Sequence, residues 1–483
     1  MSEFAITALL FACLVAVGDW KRGMFLTVAV ALLQDPLRKV IPGQPPYFIL
    51  FAGLVYGAAI LGAMRAHVPL RPSMVVGWSQ NVGAAFHFFV LVVLLQAVHS
   101  FVRFGIPLVT ILGLISYLAP FVALTLAHAY SATTGSEGTR RFLQFYAIGA
   151  SLALCTIYLE AAGLGWPILG EVGEGIRIYD QGGLLVAHSG TYRASEIAAW
   201  HAAMCACVAI LLLTYATPSV GKIALALVLV AAIVFLGIQT GRRKFLVVIA
   251  VFCCAYVGLI GLLSRRMRVA SIPAAFLGGI TYFVFLLAAD PDGPSALQAA
   301  APEYQLYVQR ANSTFGDVNS RFLELGLAPI GWAYDWFGFW GGGAGIGTQG
   351  VQHLTDMGEH VGAAEGGLGK IMLELGAPGL LAIVALGISF LRHIWRLFNY
   401  LITRSEMHAR LAFGLASILI ANVASFSVAT QAFGDVFVLV FLGIIFGMLL
   451  AAPRVIDRDL VLQEEAMRQK VAASGPRGRA PKV

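Results

Sequence analysis

Apolar stretches close to the roughly 20 residues that a helix needs to cross a bilayer recur along the whole of this chain. They fall near residues 4–18, 24–34, 47–64, 82–101, 106–128, 143–164, 196–216, 220–239, 245–263, 271–289, 370–391, 411–430 and 431–451. The first two are short and one of them reads as half-inserted, so the pattern predicts roughly twelve or thirteen transmembrane helices. Composition agrees, because 59% hydrophobic against 12% charged residues in a chain of 483 cannot supply a water-facing surface. The expected fold class is all-α, a polytopic integral membrane protein with a large extracytoplasmic loop.

Met1-Ser-Glu-Phe has no basic n-region and no small-residue cleavage site follows the first apolar run, so the first helix is expected to be retained. All six cysteines lie inside apolar runs without a Cys-x-x-Cys pair, and they read as small packing residues. The net charge of +7 reflects anchoring residues at cytoplasmic helix ends; it gives no indication of nucleic-acid binding.

Orientation follows from the short loops of the second half, which parity divides into two alternating sets. One set holds Lys222, then Arg265, Arg266 and Arg268, then Arg392, Arg396, Arg404 and Arg410, then Arg454 and Arg458. The other holds only Arg242, Arg243 and Lys244. The positive-inside rule assigns the first set and the C-terminus to the cytoplasm. Loops near 165–195 and 290–369 then face outward together with the Arg242 cluster.

Two explanations of that cluster compete. Either the helix boundaries are displaced by one span and these residues are simple anchors, or cations held at the outer leaflet against the usual bias grip an anion. Ionisable groups at membrane depth cost roughly 2.5–3.5 kcal/mol on insertion scales and mark ligand paths. A guanidinium fork matches phosphate oxygens, so the Arg242–Arg243 pair suits a diphosphate, with Lys244 as the member closest to a plain anchor.

Further arginines assemble on the same side. The segment Ser189-Gly-Thr-Tyr-Arg193-Ala-Ser-Glu196 ends one outer loop and opens a helix, with Ser189 or Ser195 as caps. Arg193 is a ligand group or an interfacial snorkelling residue. In the long loop Arg310 and Arg321 stand among nine acids, and either can pair with Asp317 or Glu324. The same loop carries Trp332, Tyr334, Trp336, Phe337 and Trp340, which would stack on sugar faces or form an interfacial belt. A glycine run from Gly341 to Gly350 suggests a phosphate-cradling turn, although no Walker or dinucleotide motif accompanies it.

Next come Glu359-His360-Val-Gly-Ala-Ala-Glu365-Gly-Gly-Leu-Gly-Lys370 and Gly376-Ala-Pro-Gly379, at the head of an apolar helix. This order of features resembles the O-antigen ligase and polymerase superfamily, bacterial membrane glycosyltransferases that use polyprenyl-diphosphate-linked sugars. Those proteins carry a Gly-x-Gly-x-Gly-like stretch in a large periplasmic loop, then a histidine, an amide or serine, nine residues, and Gly-x-x-Gly. Counting back from Gly376 puts Glu365 at the histidine's position and Gly366 at the amide's. The outer Ser-Gly-x-x-Arg pattern of the family is similar to Ser189-Gly-Thr-Tyr-Arg193, although Ala194-Ser195-Glu196 replaces the usual Pro-Asn. Its Thr-Gly-Ser-Arg-type loop is similar to Thr240-Gly241-Arg242-Arg243, and Arg321 precedes the glycine motif at the family's spacing. The similarity covers roughly residues 140–450.

The resemblance implies a C-type glycosyltransferase-like fold in a bacterial inner membrane with its active site facing the periplasm. It implies an undecaprenyl-diphosphate-linked glycan donor and a glycan or lipid-linked acceptor. Such a transfer needs a general base and cations for the departing diphosphate. Glu365 takes the base's place, with His360 and Glu374 as rivals, and Glu365 otherwise reads as a carboxylate favouring a helix N-terminus. Glu374 can also pair with Lys370 at i,i+4. Arg193, Arg242, Arg243 and Arg321 are the expected diphosphate ligands. No metal or other cofactor is expected, since His353 and His360 lack an obvious third ligand. The loss of the histidine favours a polymerase of O-antigen, capsule or exopolysaccharide type over a ligase. From another class, a transporter or flippase for a lipid-linked or anionic solute would use the same arginines, but the sequence shows neither a duplicated half nor matching interrupted helices.

One domain is expected over residues 1–453, including the loop at 290–369, followed by a cytoplasmic tail at 454–483 that begins as a charged helix and ends disordered. Residues 392–410 interleave arginines with Trp395, Leu397 and Phe398 and read as an amphipathic interfacial segment.

Overall fold

The computed structural model describes residues 2–70, 80–172, 177–180, 183–215, 220–263, 322–348 and 365–473. The apolar run at 271–289, together with Arg310, Arg321, His353 and His360, lies outside the described residues. Within them the chain is a bundle of helices: α1 (Ser2–Gly18), α2 (Trp20–Val40), α3 (Phe51–Arg65), α4 (Gln80–Phe104), α5 (Pro107–Ala161), α6 (Ser195–Thr214), α7 (Val220–Ile238), α8 (Lys244–Leu263), α9 (Ala328–Phe337), α10 (Gly367–Arg404), α11 (Glu406–Val428), α12 (Val436–Leu450) and α13 (Ala452–Ala473). One antiparallel strand pair, β1 (Arg177–Asp180) with β2 (Gly183–Val186), interrupts the helices between α5 and α6. Lipid offers backbone groups no partner, which is why the apolar runs close their hydrogen bonds internally.

Among the described residues eight helices are long and apolar enough to cross a membrane, or nine if the bent pair α12–α13 is one span. This establishes a multi-pass membrane protein; of the runs read from the sequence, 271–289 lies outside the described residues. The apolar runs at 106–128 and 143–164 belong to the single 55-residue helix α5. The helix α1 has only 17 residues, and α2 is bracketed by Lys21, Arg22, Asp35, Arg38 and Lys39.

A straight helix the length of α5 would measure about 80 Å against a hydrocarbon core of about 30 Å. It breaks instead at Gly135, whose φ of 72° and ψ of −166° are open only to glycine. The two legs fold back on each other. Tyr130 and Phe142, which a straight helix would set about 18 Å apart, have ring centroids at 6.3 Å, and Thr139 Oγ1 donates to Ser131 Oγ at 3.1 Å.

A second break, at Gly376 (φ 67°, ψ −168°), divides α10 into a short leg that is almost wholly buried and a long leg entered through Pro378. The glycine run fits into this break. Gly342 N donates to Leu373 O at 2.7 Å, Gly343 N to Glu374 O at 3.2 Å, Ala344 N to Gln96 O at 3.1 Å, and Ala377 N to Phe339 O at 2.9 Å. Amides that the sequence offered for a phosphate are therefore spent holding the chain between α4, α5 and α10.

The junctions fall into two groups on opposite ends of the bundle, as parity requires. At one end Asp459 of α13 accepts from Ser136 N beside the Gly135 break at 3.1 Å and faces His408 of α11 at 2.9 Å, while Arg458 donates to Thr133 O at 3.2 Å. The charged segment after residue 453 is thus docked on the bundle, and does not hang free of it. At the other end the 187–195 loop, the α7–α8 junction and the start of α12 converge. Between the ends a ring stack fixes α6. His201 is stacked on Tyr192 and Phe437, its Nδ1 lies 3.0 Å from Tyr146 Oη, and Trp200 Nε1 donates to Asn422 Oδ1 at 2.9 Å.

A Cβ at residue 376 would overlap the Phe339 and Trp340 carbonyl groups, in a backbone region that L side chains avoid. Gly376→Ala is expected to destabilise the detergent-solubilised protein by about 3 kcal/mol or more. Gly387→Ala, on the same helix with nothing within 4 Å, should be neutral or stabilising. Equal melting temperatures for the two variants would remove the packing role assigned to the break.

Candidate functional site

The α7–α8 junction is a tight turn. Gly241, at φ 67°, ends α7 in the left-handed conformation, its N–H donating to Ile238 O at 2.9 Å, and Thr240 Oγ1 donates to Gly237 O at 2.6 Å. With α8 starting at Lys244, residues 242–244 stand on a short, braced corner. Arg242 Nε donates to Ser195 Oγ at 3.0 Å, and its Nη2 lies 2.7 Å from Glu196 Oε1, an ion-pair contact without hydrogen-bond alignment. Lys244 Nζ donates to Gln431 Oε1 at 3.1 Å.

These groups border a recess of about 130 Å³. Its polar wall is Glu196, Arg242, Arg243, Lys244, Ser425 and Gln431, and its apolar wall includes Trp200, Phe245, Val248 and Phe433. A cavity cationic on one side and aromatic on the other suits an amphiphilic anion.

The neighbouring loop is positioned from below. Glu160 at the end of α5 accepts from Ser189 N at 3.0 Å and Gly190 N at 2.6 Å, while its other oxygen lies 3.2 Å from His188 Nδ1. Lys39 Nζ donates to Gly190 O at 2.8 Å and Tyr192 O at 2.6 Å. Arg193 itself is not the snorkelling residue that one reading of the sequence allowed, since its side chain is 10% exposed. Its Nη1 lies 2.5 Å from Asp435 Oδ2, and its backbone N–H donates to Asp35 Oδ2 at 3.0 Å. Asp435 in turn caps α12, accepting from Phe437 N at 2.7 Å.

Burial pulls the Arg193 pKa down, but Asp435 and Asp35 outweigh it, and the guanidinium sits above its ordinary range. Lys39 goes the other way. Burial lowers its ammonium to about 8, against the opposing pull of Asp35, Glu160 and Glu171.

The structure thus brings three of the expected arginines, Arg193, Arg242 and Arg243, to one corner, with Arg193 locked into carboxylates and the other two on the recess. Glu365 is exposed, and its carbonyl accepts from Thr430 N at 3.0 Å and Thr430 Oγ1 at 3.1 Å, one residue from the recess-lining Gln431. Glu374 is fully buried, accepts from Gly347 N at 2.8 Å and stands 3.9 Å from Lys370 Nζ, the i,i+4 pairing expected from the sequence. Among the described residues its second oxygen has no hydrogen-bond partner.

Sequence reasoning did not find Asp35, Lys39, Glu160 or Asp435 as parts of this corner. Asp435, an isolated acid in front of an apolar run, carried an N-cap signal that could have marked it.

Removing one partner from a buried ion pair leaves the other uncompensated. Asp435→Asn, which keeps a capping side chain, should cost about 3 kcal/mol in the melting of the solubilised protein; a loss below about 1 kcal/mol would show the pair to be dispensable. For Lys39 the folded pKa is depressed from 10.5 to about 8, so the folded state binds fewer protons and stability rises with pH across that window. Lys39→Met should flatten this slope between pH 8 and 10.5 in a melting series.

Comparison with known proteins finds no family profile and no curated protein that matches this chain.

Proposed function

We propose that the chain is a metal-independent glycosyltransferase of the bacterial inner membrane, acting at the periplasmic face. It would polymerise undecaprenyl-diphosphate-linked oligosaccharide units of the O-antigen, capsule or exopolysaccharide type, with ligase-like transfer as the second form of the same chemistry. The observation that carries this reading is the recess at the α7–α8 junction. There Arg242, Arg243 and Lys244 stand together at the bundle end opposite the junctions that hold His408 and Arg458, with an aromatic wall beside them.

In the reaction an acceptor hydroxyl oxygen attacks the anomeric carbon of the donor sugar, and its proton passes to a carboxylate. The bond from that carbon to the diphosphate breaks, and its electron pair leaves with the diphosphate oxygen. Negative charge grows on the leaving group as the bond lengthens, so cations already braced in place stabilise the transition state more than the ground state. Arg242 and Arg243 supply those cations, and Glu365, one residue from the recess wall through its Thr430 bonds, supplies the base. Arg193 acts through Asp435 as a positioning residue. Arg321 keeps the diphosphate role that the family resemblance gives it, and His360 stays the rival base.

One observation favours a transporter or flippase instead. The helix α10 is broken at Gly376 next to the buried Glu374 carboxylate. Broken helices with ionisable groups line many transporter sites.

The two readings separate in one assay, glycan formation by purified protein from a lipid-diphosphate oligosaccharide. Wild type should yield longer chains or a glycoconjugate. Arg242→Ala and Glu365→Gln should each lower the rate by about 100-fold or more. If wild type forms no product while both variants still move the lipid across proteoliposomes, the enzyme reading is lost.

A further inference from the structure

The end of the bundle away from the recess holds an arrangement that the sugar transfer does not use. Ser405 stands between α10 and α11, and His408 follows three residues on, so the two side chains share one face of the helix start. Ser405 Oγ lies 2.7 Å from His408 Nδ1, and His408 Nε2 lies 2.9 Å from Asp459 Oδ2 on α13. The carboxylate is 51 residues beyond the imidazole, so no local motif announces it. A hydroxyl, an imidazole and a carboxylate thus form one continuous relay.

The carboxylate sets the direction of that relay. Hydrogen bonds from Ser136 N–H, at 3.1 Å, and from His408 favour the ionised form of Asp459. An ionised carboxylate only accepts, so His408 Nε2 carries the proton and the Nδ1 lone pair of the neutral ring faces the serine. Ser405 Oγ–H then donates to Nδ1. The His408 and Asp459 side chains are 9% and 15% exposed, which leaves water little chance to compete for the contact.

Docking α13 would need only the His408–Asp459 pair. A serine in front of a helix ordinarily turns its hydroxyl onto the N–H groups of the first turn. Ser405 holds that position in α11 yet makes no such bond, and Ala409 N donates to Ser405 O at 3.0 Å. The Glu406 and Met407 N–H groups, which directly follow the serine in the chain, are therefore left without a side-chain cap. A hydroxyl given to an imidazole, with uncapped amides behind it, has the form of an activated nucleophile beside donors for an oxyanion. Ser405 is half-buried, and Tyr400 and Met407 near the junction are 36% and 37% exposed, apolar surface suited to an acyl chain.

We propose that Ser405 and His408, with Asp459 positioning the ring, form a further catalytic site, a serine esterase for acyl esters. Ser405 Oγ attacks the ester carbonyl carbon while its proton passes to His408 Nδ1, and the carbonyl electron pair moves onto oxygen, where the Glu406 and Met407 N–H groups receive it. The bond to the alcohol oxygen then breaks, and the imidazolium hands its proton to the departing alcohol. Water attacks the acyl-serine in the same way, giving a proton to Nδ1. Collapse of that adduct breaks the bond to Oγ, which takes the proton back, and the carboxylic acid leaves. Asp459 holds the ring tautomer and offsets the imidazolium charge in both halves.

The test uses the full-length protein in a nonionic detergent, a fluorophosphonate as probe of the nucleophile and p-nitrophenyl butyrate as the ester. Folded wild type should be labelled at Ser405, located by peptide mass spectrometry, and heat-unfolded wild type should not. Ester hydrolysis should fall by about 100-fold or more in Ser405→Ala and in His408→Gln. Asp459→Asn, which keeps an acceptor for Ser136 N–H, should lower kcat by about tenfold or more with KM little changed. Asp459 also docks α13, so melting temperatures are read beside the rates, and wild-type labelling decides the matter where a variant fails to fold. No label at Ser405 in folded wild type, or equal labelling after unfolding or in folded His408→Gln, would reduce the relay to a helix dock and overturn the inference.

Discussion

A guanidinium buried at the end of a membrane bundle is tolerable only if its charge is answered at close range, and one corner of this protein is organised around such a group. Arg193 is answered twice, by Asp435 through its side chain and by Asp35 at its backbone. Each contact joins separate parts of the chain, the tail of α2, the loop before α6 and the cap of α12. Breaking a pair of this kind strands a charge in low dielectric, so the three elements hold or fail together. The recess inherits its geometry from them, because Ser195 and Glu196 directly follow the tethered arginine.

Glycine plays the complementary part where no side chain fits. The break at Gly376 and the run that begins at Gly341 lie against each other, and a Cβ at residue 341 would come within 2.6 Å of Gly376 N. Close approach allows the loop's amides to complete the backbone bonding that the broken helix leaves open. It also places Glu374 at the bottom of the joint, where Gly347 N–H and Lys370 meet its carboxylate. The described part of the loop that the glycine run marked as an anion cradle is thus a packing element.

Much of this was legible in the sequence, for reasons that differ from residue to residue. Apolar runs mark spans because their signal is local, whereas the sides assigned from the alternating basic loops depend on counting every span correctly. Arg242 and Arg243 stood out because they broke that alternation. Nothing local distinguishes Gly135 or Gly376 from the other glycines among 53, since their meaning lies in what packs against them. The partner of Arg193 was hidden for the same reason. Asp35 lies 158 residues away in a helix too charged to be read as a full span, and Asp435 sits just before an apolar run whose start was placed a few residues too early.

The folded-back helix α5 carries a consequence for how the molecule is made. Its turn at Gly135 exposes Ser136 N–H, and the group that answers it, Asp459, lies 323 residues further along the chain. At ribosomal rates of about 5–20 residues per second, that partner emerges roughly 15–65 s after the turn. Until then the hairpin must be held by its own Tyr130, Phe142 and Thr139 contacts, which is the work those internal contacts are placed to do. Closure of this end of the bundle is therefore a late event of biogenesis, and α13 is the clasp fastened after the spanning helices that precede it.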